Sequence, residues 1–184
     1  MPIHITDTRL PDVKILEPTV FRDERGFFME SWNALDFQSA LRTNITFVQD
    51  NHSKSRRGVV RGLHYQLAPH AQAKLVRCLT GAVFDVAVDI RRRSPTFGQW
   101  VGIELSAENM RQLWIPEGFA HGFVALSETA EVFYKTNDSW HRECEAAIRW
   151  DDPDLDIQWP LTEGICLSEK DAMAPFLRDA RLFS

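Results

Sequence analysis

The chain has 184 residues, 44% hydrophobic and 26% charged, with a formal net charge of −5. That length suits one well-packed domain, so residues 1–184 are read as a single unit. The acidic balance argues against a nucleic-acid partner. No apolar run is long enough to cross a bilayer, and three cysteines without CxxC spacing fit reduced thiols in a soluble, cytoplasmic protein.

The first residues, "MPIHITDTRL", lack the basic stretch and apolar run of a signal peptide. "TVFRDERGFFME" predicts two short strands around a turn at Asp23 to Gly26. "NALDFQSALR" carries a helix signal. "VVRGLHYQ" reads as a buried strand interrupted by Arg61 and His64. "AKLVRCLTGAVFDVAVDIRRRSPTFGQWVGIEL" reads as three strands, with turns at Thr80-Gly81 and Ser94-Pro95. In its middle strand Ala82, Phe84, Val86, Val88 and Ile90 share one face, and Asp85, Ala87, Asp89 and Arg91 the other. "RQLWIPEGFAHGFVAL" and "AEVFYKTNDSW" add further strands, and "SEKDAMAPFL" a second helix. Many short strands with turn residues between them predict an all-β fold, a jelly-roll barrel or sandwich with a few short helices.

Several polar residues sit badly in a plain core. Arg61 and His64 are three apart, so strict alternation puts them on opposite faces, unless Gly62 marks a bulge that turns both into one cavity. The alternative is that Arg61 snorkels to the rim and His64 is a hydrogen-bonded core histidine. The Pro-x-Gly-x-x-His spacing from Pro116 to His121 is a cupin element, which in metal cupins supplies one ligand beside an upstream His-x-His. Here the upstream equivalent is His64-Tyr65-Gln66, with glutamine at the second position. Two histidines are too few for a first-row metal, so a metal-free barrel is expected. Lys74 opens a strand and reads alone as a solvated end residue. Tyr134 reads alone as a core tyrosine with a bonded hydroxyl. Asp171 fits the capping-box spacing of "SEKD". Asp152, Asp154, Asp156 and Glu163 have calcium-loop spacing, but Ile157 stands where the loop needs glycine, so this is a turn. "RRRS" at Arg91 to Ser94 is read as a solvated turn.

Taken in order, "FRDERGFFMES", "VQDNHSKSRRGVVRGLHYQ", "GAVFDVAVDIRRRSPTFGQW", "LWIPEGFAHGF", "EVFYKT" and "IRWDDPDLDIQWP" resemble the dTDP-4-dehydrorhamnose 3,5-epimerase family over nearly the whole chain. The resemblance implies a cupin-like jelly roll, a homodimer, and no metal or other cofactor. It implies a dTDP-4-keto-6-deoxy sugar substrate, inverted at carbons 3 and 5 by proton removal beside the ketone and return to the opposite face. By resemblance His64 is the base, Asp171 its partner, Tyr134 the acid, and Lys74 a stabiliser of oxygen charge at the ketone. His121 would point at the sugar and Arg61 would hold the diphosphate. The positions of Arg25, Glu30, Gln49, Asn51, Glu145 and Lys170 would surround nucleotide and sugar, with Arg25 and Glu30 completing a neighbouring subunit's site. Ser139 and Trp140 depart from the family's pair of tyrosines; Trp140 can still stack on base or sugar. A single-carbon epimerase, a metal-dependent cupin oxygenase and a non-catalytic nucleotide-sugar binder remain as rival readings.

Overall fold

The computed structural model describes residues 3–184. Thirteen strands and two short α-helices follow one another in chain order. Strands β1 (Ile3–Asp7), β2 (Lys14–Pro18), β10 (Gln112–Ile115), β7 (Lys74–Thr80), β12 (Thr129–Thr136) and β5 (Gln49–Arg56) form a six-stranded sheet in the order β1-β2-β10-β7-β12-β5. Strands β13 (Glu145–Ala147), β6 (Val60–Gln66), β11 (Phe119–Ala125), β8 (Ala82–Asp89) and β9 (Trp100–Ser106) form a five-stranded sheet in the order β13-β6-β11-β8-β9. Neighbouring strands are antiparallel in both. Strands β3 (Val20–Asp23) and β4 (Gly26–Met29) make a separate hairpin around the predicted turn.

The expected jelly roll is the fold observed, and its layers follow from which faces are apolar. Val76, Val132 and Leu113 of the six-stranded sheet meet Val83, Ala87 and Phe123 of the five-stranded one to fill the space between them. The outer face of the five-stranded sheet is also buried. There Val86, Val88, Leu63 and Val124 are covered by the C-terminal segment through Ile148, Leu155, Trp159 and Leu177. Burial on both sides is why β11 is buried at every position and β8 at most of its own. Helix α1 (Ala34–Leu41), capped by the Asn33 side chain, lays Phe37 on the outer face of the six-stranded sheet. Phe37 sits 4.8 Å from Trp32 and 5.3 Å from Trp114, ring centre to ring centre. No helix of the described residues is long and apolar enough to cross a membrane.

Three expectations need correction. The second helix is a single turn, α2 (Glu169–Ala172), because the chain leaves helical geometry before Pro175; a 3₁₀ turn, Leu177–Asp179, follows. Arg91 is not a solvated turn residue. It is fixed by Asp89, whose second oxygen also accepts from Ser94 and Thr96, and by Asp12. Burial raises the Asp89 pKa, but Arg91, Ser94 and Thr96 outweigh it and hold the carboxyl at about 2. Lys74 is the third, buried rather than solvated. The calcium-loop spacing does fold as a turn: Asp152 is buried and accepts from the backbone N–H groups of Asp154, Leu155 and Leu177.

Candidate active site

The bulge predicted at Gly62 is present and shapes the site. Strand β6 pairs His64 with His121 and Arg61 with Phe123, three residues against two, so one extra residue lies between. Gly62 takes φ +135, and a Cβ there would fall 2.5 Å from the Cα of Gly122. Glycine is therefore required by both conformation and space. The extra residue puts Arg61 and His64 on one face, and both line a cavity of about 340 Å³ between the sheets. Gln49, Asn51, Lys74, His121, Tyr134, Trp140 and Glu145 line it too.

His64 Nε2 lies 2.5 Å from Asp171 Oδ1. Asp171 is buried, with its backbone N–H on the Ser168 hydroxyl that caps α2. The cap is supplied by the Ser168 hydroxyl, and the Asp171 side chain is turned to His64. Burial raises the Asp171 pKa, but the bond and charge of His64, helped by Ser168 and the Gly62 N–H, pull it below the usual carboxylate value. An ionised Asp171 makes Nε2 the protonated nitrogen of His64 and leaves the Nδ1 lone pair as the basic site.

The second histidine has a carboxylate as well, a pairing that the sequence alone does not suggest. His121 Nε2 is 3.0 Å from both oxygens of Asp85, and both residues are buried. Burial, helped by the charges of Lys74 and His64, lowers the His121 pKa although Asp85 opposes. The only sequence signal for Asp85 is a carboxylate in mid-strand, between Phe84 and Val86.

On the facing sheet, Lys74 Nζ donates to the His64 carbonyl at 3.3 Å and lies 5.8 Å from the Tyr134 ring centre. Burial pushes the Lys74 pKa down to about 8, with Asp85 and Glu145 opposing. Burial pushes the Tyr134 phenol up, so it stays protonated at neutral pH. Among the described residues the Tyr134 hydroxyl has no hydrogen-bond partner, unlike the bonded core tyrosine that its apolar run suggested.

At the mouth, Gln66 uses its whole amide. Its Nε2 donates to the carbonyls of His70 (2.7 Å) and Ser139 (3.1 Å), and its Oε1 accepts from the His141 N–H (2.6 Å). These bonds hold the loop carrying Trp140, whose own N–H donates to Gln49 Oε1 at 3.0 Å. An amide so committed is a poor metal ligand, which counts against the metal-cupin reading. Nearby, His70, Asp138 and His141 offer ligand atoms within 4.8 Å of one another. The two rings, however, stack 3.4 Å apart and 8° from parallel, so their in-plane lone pairs do not converge.

Arg61 donates to Ser55 Oγ (3.0 Å) and the Lys54 carbonyl (3.3 Å), reaching across to edge strand β5. Lys170 pairs with Glu145 at the rim at 2.5 Å. Arg25 and Glu30 are not brought into the cavity. Arg25 pairs with Asp23 across the exposed hairpin at 2.6 Å, and Glu30 lines a separate cleft, where it accepts from Asn33 at 3.3 Å.

Comparison with known proteins gives the family. The family model described as dTDP-4-dehydrorhamnose 3,5-epimerase matches residues 7–179. A dTDP-4-dehydrorhamnose 3,5-epimerase of Pseudomonas aeruginosa is 60% identical over 178 residues, covering 97% of this chain and 98% of the relative. A Legionella pneumophila dTDP-6-deoxy-D-glucose-3,5-epimerase, solved with dTDP-4-keto-L-rhamnose, superposes with a TM-score of 0.93 at 54% identity, covering 96% of this chain and 93% of that one. ChmJ, a 3'-monoepimerase from Streptomyces bikiniensis solved with dTDP-quinovose, superposes at 0.88 with 32% identity, covering 94% and 87%. On the strength of the sequence match along its length and the matching fold, the chain belongs to the dTDP-4-dehydrorhamnose 3,5-epimerase family.

Proposed function

We propose that the protein is an isomerase that converts dTDP-4-dehydro-6-deoxy-D-glucose to dTDP-4-dehydro-L-rhamnose by inverting carbons 3 and 5. The observation that carries this reading is the placement of His64, bonded to Asp171 of α2, on one sheet and an unbonded Tyr134 hydroxyl on the other, across one cavity. His64 removes the proton beside the ketone, and the C–H electron pair moves into an enolate whose oxygen is stabilised by charged Lys74. Tyr134 then donates its proton to the opposite face of the same carbon. His64 returns its proton to water and Tyr134 takes one back, so the reaction needs no external oxidant or reductant. Arg61 holds the diphosphate, Gln49, Asn51, His121 and Trp140 position the nucleotide sugar, and the Glu145–Lys170 pair closes the rim.

Arg25 and Glu30 serve a partner subunit's site in a homodimer. The β3–β4 hairpin supports this, with Phe21 53%, Phe27 56% and Phe28 66% exposed beside Arg25. Three apolar rings on one two-stranded hairpin make a surface suited to a second copy. The reaction takes place in the cytoplasm; free Cys78, Cys144 and Cys166 suit its reducing conditions.

The test is turnover of dTDP-4-keto-6-deoxyglucose in heavy water, followed by NMR. Deuterium at both carbons, with product trapped as dTDP-L-rhamnose by a reductase, is the expected outcome. Label at one carbon alone would select the single-inversion reading, and binding without label would overturn the enzymatic one.

A further inference from the structure

Among the described residues, one fully buried side-chain oxygen has no hydrogen-bond partner, and it is Ser53 Oγ on the wall of the cavity; the Tyr134 hydroxyl, also unpaired, is only partly buried. Buried hydroxyls left unpaired are rare because they lose their bonds to water without replacement. Where a hydroxyl is both orphaned and on the lining of a binding cavity, a ligand is the natural partner.

Its position on β5 says which part of the ligand. Gln49, Asn51, Ser53 and Ser55 alternate on the inward face of that strand, a polar ladder with its outward residues exposed. The neighbours on the ladder are spoken for: Gln49 Nε2 bonds Asn51 Oδ1 at 3.1 Å, and Ser55 Oγ receives the Arg61 guanidinium at 3.0 Å. Across the strand pair Asn51 faces Tyr134 and Ser53 faces Val132. Ser53 therefore stands between the reacting centre at Tyr134 and the guanidinium anchored on Ser55, roughly 7 Å along the strand from either row. Val132 offers it no polar atom.

Resting on the nucleotide-sugar reading above, we infer that Ser53 is a substrate-contacting residue whose hydroxyl donates to the sugar-linked phosphate of the diphosphate. That phosphate joins the group held at Arg61 to the sugar held at Tyr134 and His64, so it must pass Ser53. A hydroxyl donor beside a guanidinium suits a tetrahedral oxyanion, which accepts several bonds at once.

Ser53→Ala tests this with dTDP, thymidine and the sugar substrate as probes. The variant folds at least as stably as wild type, because the hydroxyl it deletes has no partner in the protein. Calorimetry then shows dTDP binding weakened roughly ten- to a hundred-fold, the loss of one hydrogen bond to a charged acceptor. Thymidine, which carries no phosphate, binds both proteins equally. KM for the sugar substrate rises while kcat stays within about threefold, and the rise in melting temperature on adding dTDP shrinks. If Ser53→Ala folds poorly, Ser53→Cys keeps the volume with a weaker donor and must show the same ordering. Unchanged dTDP affinity in a folded variant overturns the inference and assigns the hydroxyl to water. A fall in kcat without a change in dTDP binding overturns it equally. Failure of the wild-type protein to bind dTDP would refute the functional reading itself, before any variant is compared.

Discussion

Lys74 offers the sharpest test of the proposed chemistry, because burial ties its charge to pH within a measurable range. Its pKa is about 8 against the ordinary 10.5. The groups around it are Asp85 and Glu145, which favour its charge, His121 and Tyr134, and the carbonyl of His64. If the ammonium stabilises the enolate, kcat/KM follows the protonated fraction and falls about tenfold between pH 7 and pH 9. Lys74→Met removes the charge but keeps an unbranched, apolar stem in the same space. It should cost roughly 10²- to 10³-fold in kcat/KM at pH 7 and abolish the alkaline fall. Deuterium wash-in read directly by NMR is the appropriate assay, since a coupling reductase would add its own pH dependence.

Stability should move the other way. Below pH 8 Lys74 is charged in both states and the cost of burying it is felt in full. As pH climbs from 8 to 10.5 the unfolded chain holds the proton and the folded chain does not, so stability rises by about 3 kcal/mol. Cys78 opposes this, since burial puts its thiol at about 11 against an ordinary 9.0. Between those values the folded state keeps a proton that the unfolded state has lost, and stability falls with pH. Cys78 is common to wild type and Lys74→Met, so urea unfolding of the two proteins side by side isolates the lysine. An alkaline fall that persists unchanged in Lys74→Met, or a wild-type rate flat to pH 9.5, would refute the assignment.

Two further outcomes can be checked with ordinary kinetics. Gln66→Ala frees the loops at His70 and Ser139–His141; it should raise KM about tenfold through Trp140, with kcat kept within about threefold. In the proposed homodimer, Arg25→Ala and His64→Ala, each impaired alone, should recover roughly a quarter of the wild-type rate when unfolded and refolded together, since half the dimers would be mixed and each would hold one intact site. No recovery would place Arg25 outside the partner's site.

The strands legible in the sequence are β3 and β4, with a turn signal between them, and β6 to β12, whose apolar residues alternate or run on. The edge strands β1, β5 and β13, and β2 beside β1, are not. In β5 both faces are largely polar, the outward one exposed and the inward one facing the cavity, so "QDNHSKSR" gives no apolar period to detect. For the same reason nothing in the sequence singles out Ser53. The bulge at Gly62 is readable because a glycine inside a strand, set between two polar residues, commonly marks one. The Asp85–His121 pairing is not, because it joins residues 36 apart through the registration of β8 on β11. Lys74 misleads for a related reason: a strand's first residue is usually solvated, but here Ile115 and Thr136 flank it on neighbouring strands.

The architecture also bears on why a jelly roll suits this reaction. Inversion needs a base on one face of a planar enolate and an acid on the other, held apart so that they do not neutralise each other. Facing sheets stand about 10 Å apart, which leaves room for a sugar ring and little else. Strand β6 of one sheet carries His64 and strand β12 of the other carries Tyr134, so a ring lying between the sheets meets each from a different side. Lys74 comes from Tyr134's sheet yet reaches the backbone of His64, bridging the two layers beside the cavity. On the proposed assignment, a change between double and single inversion requires no new catalytic residue. A shift of the ring relative to Tyr134 is enough to withdraw the proton donor from one carbon, and Trp140 on its Gln66-held loop is placed to set that shift.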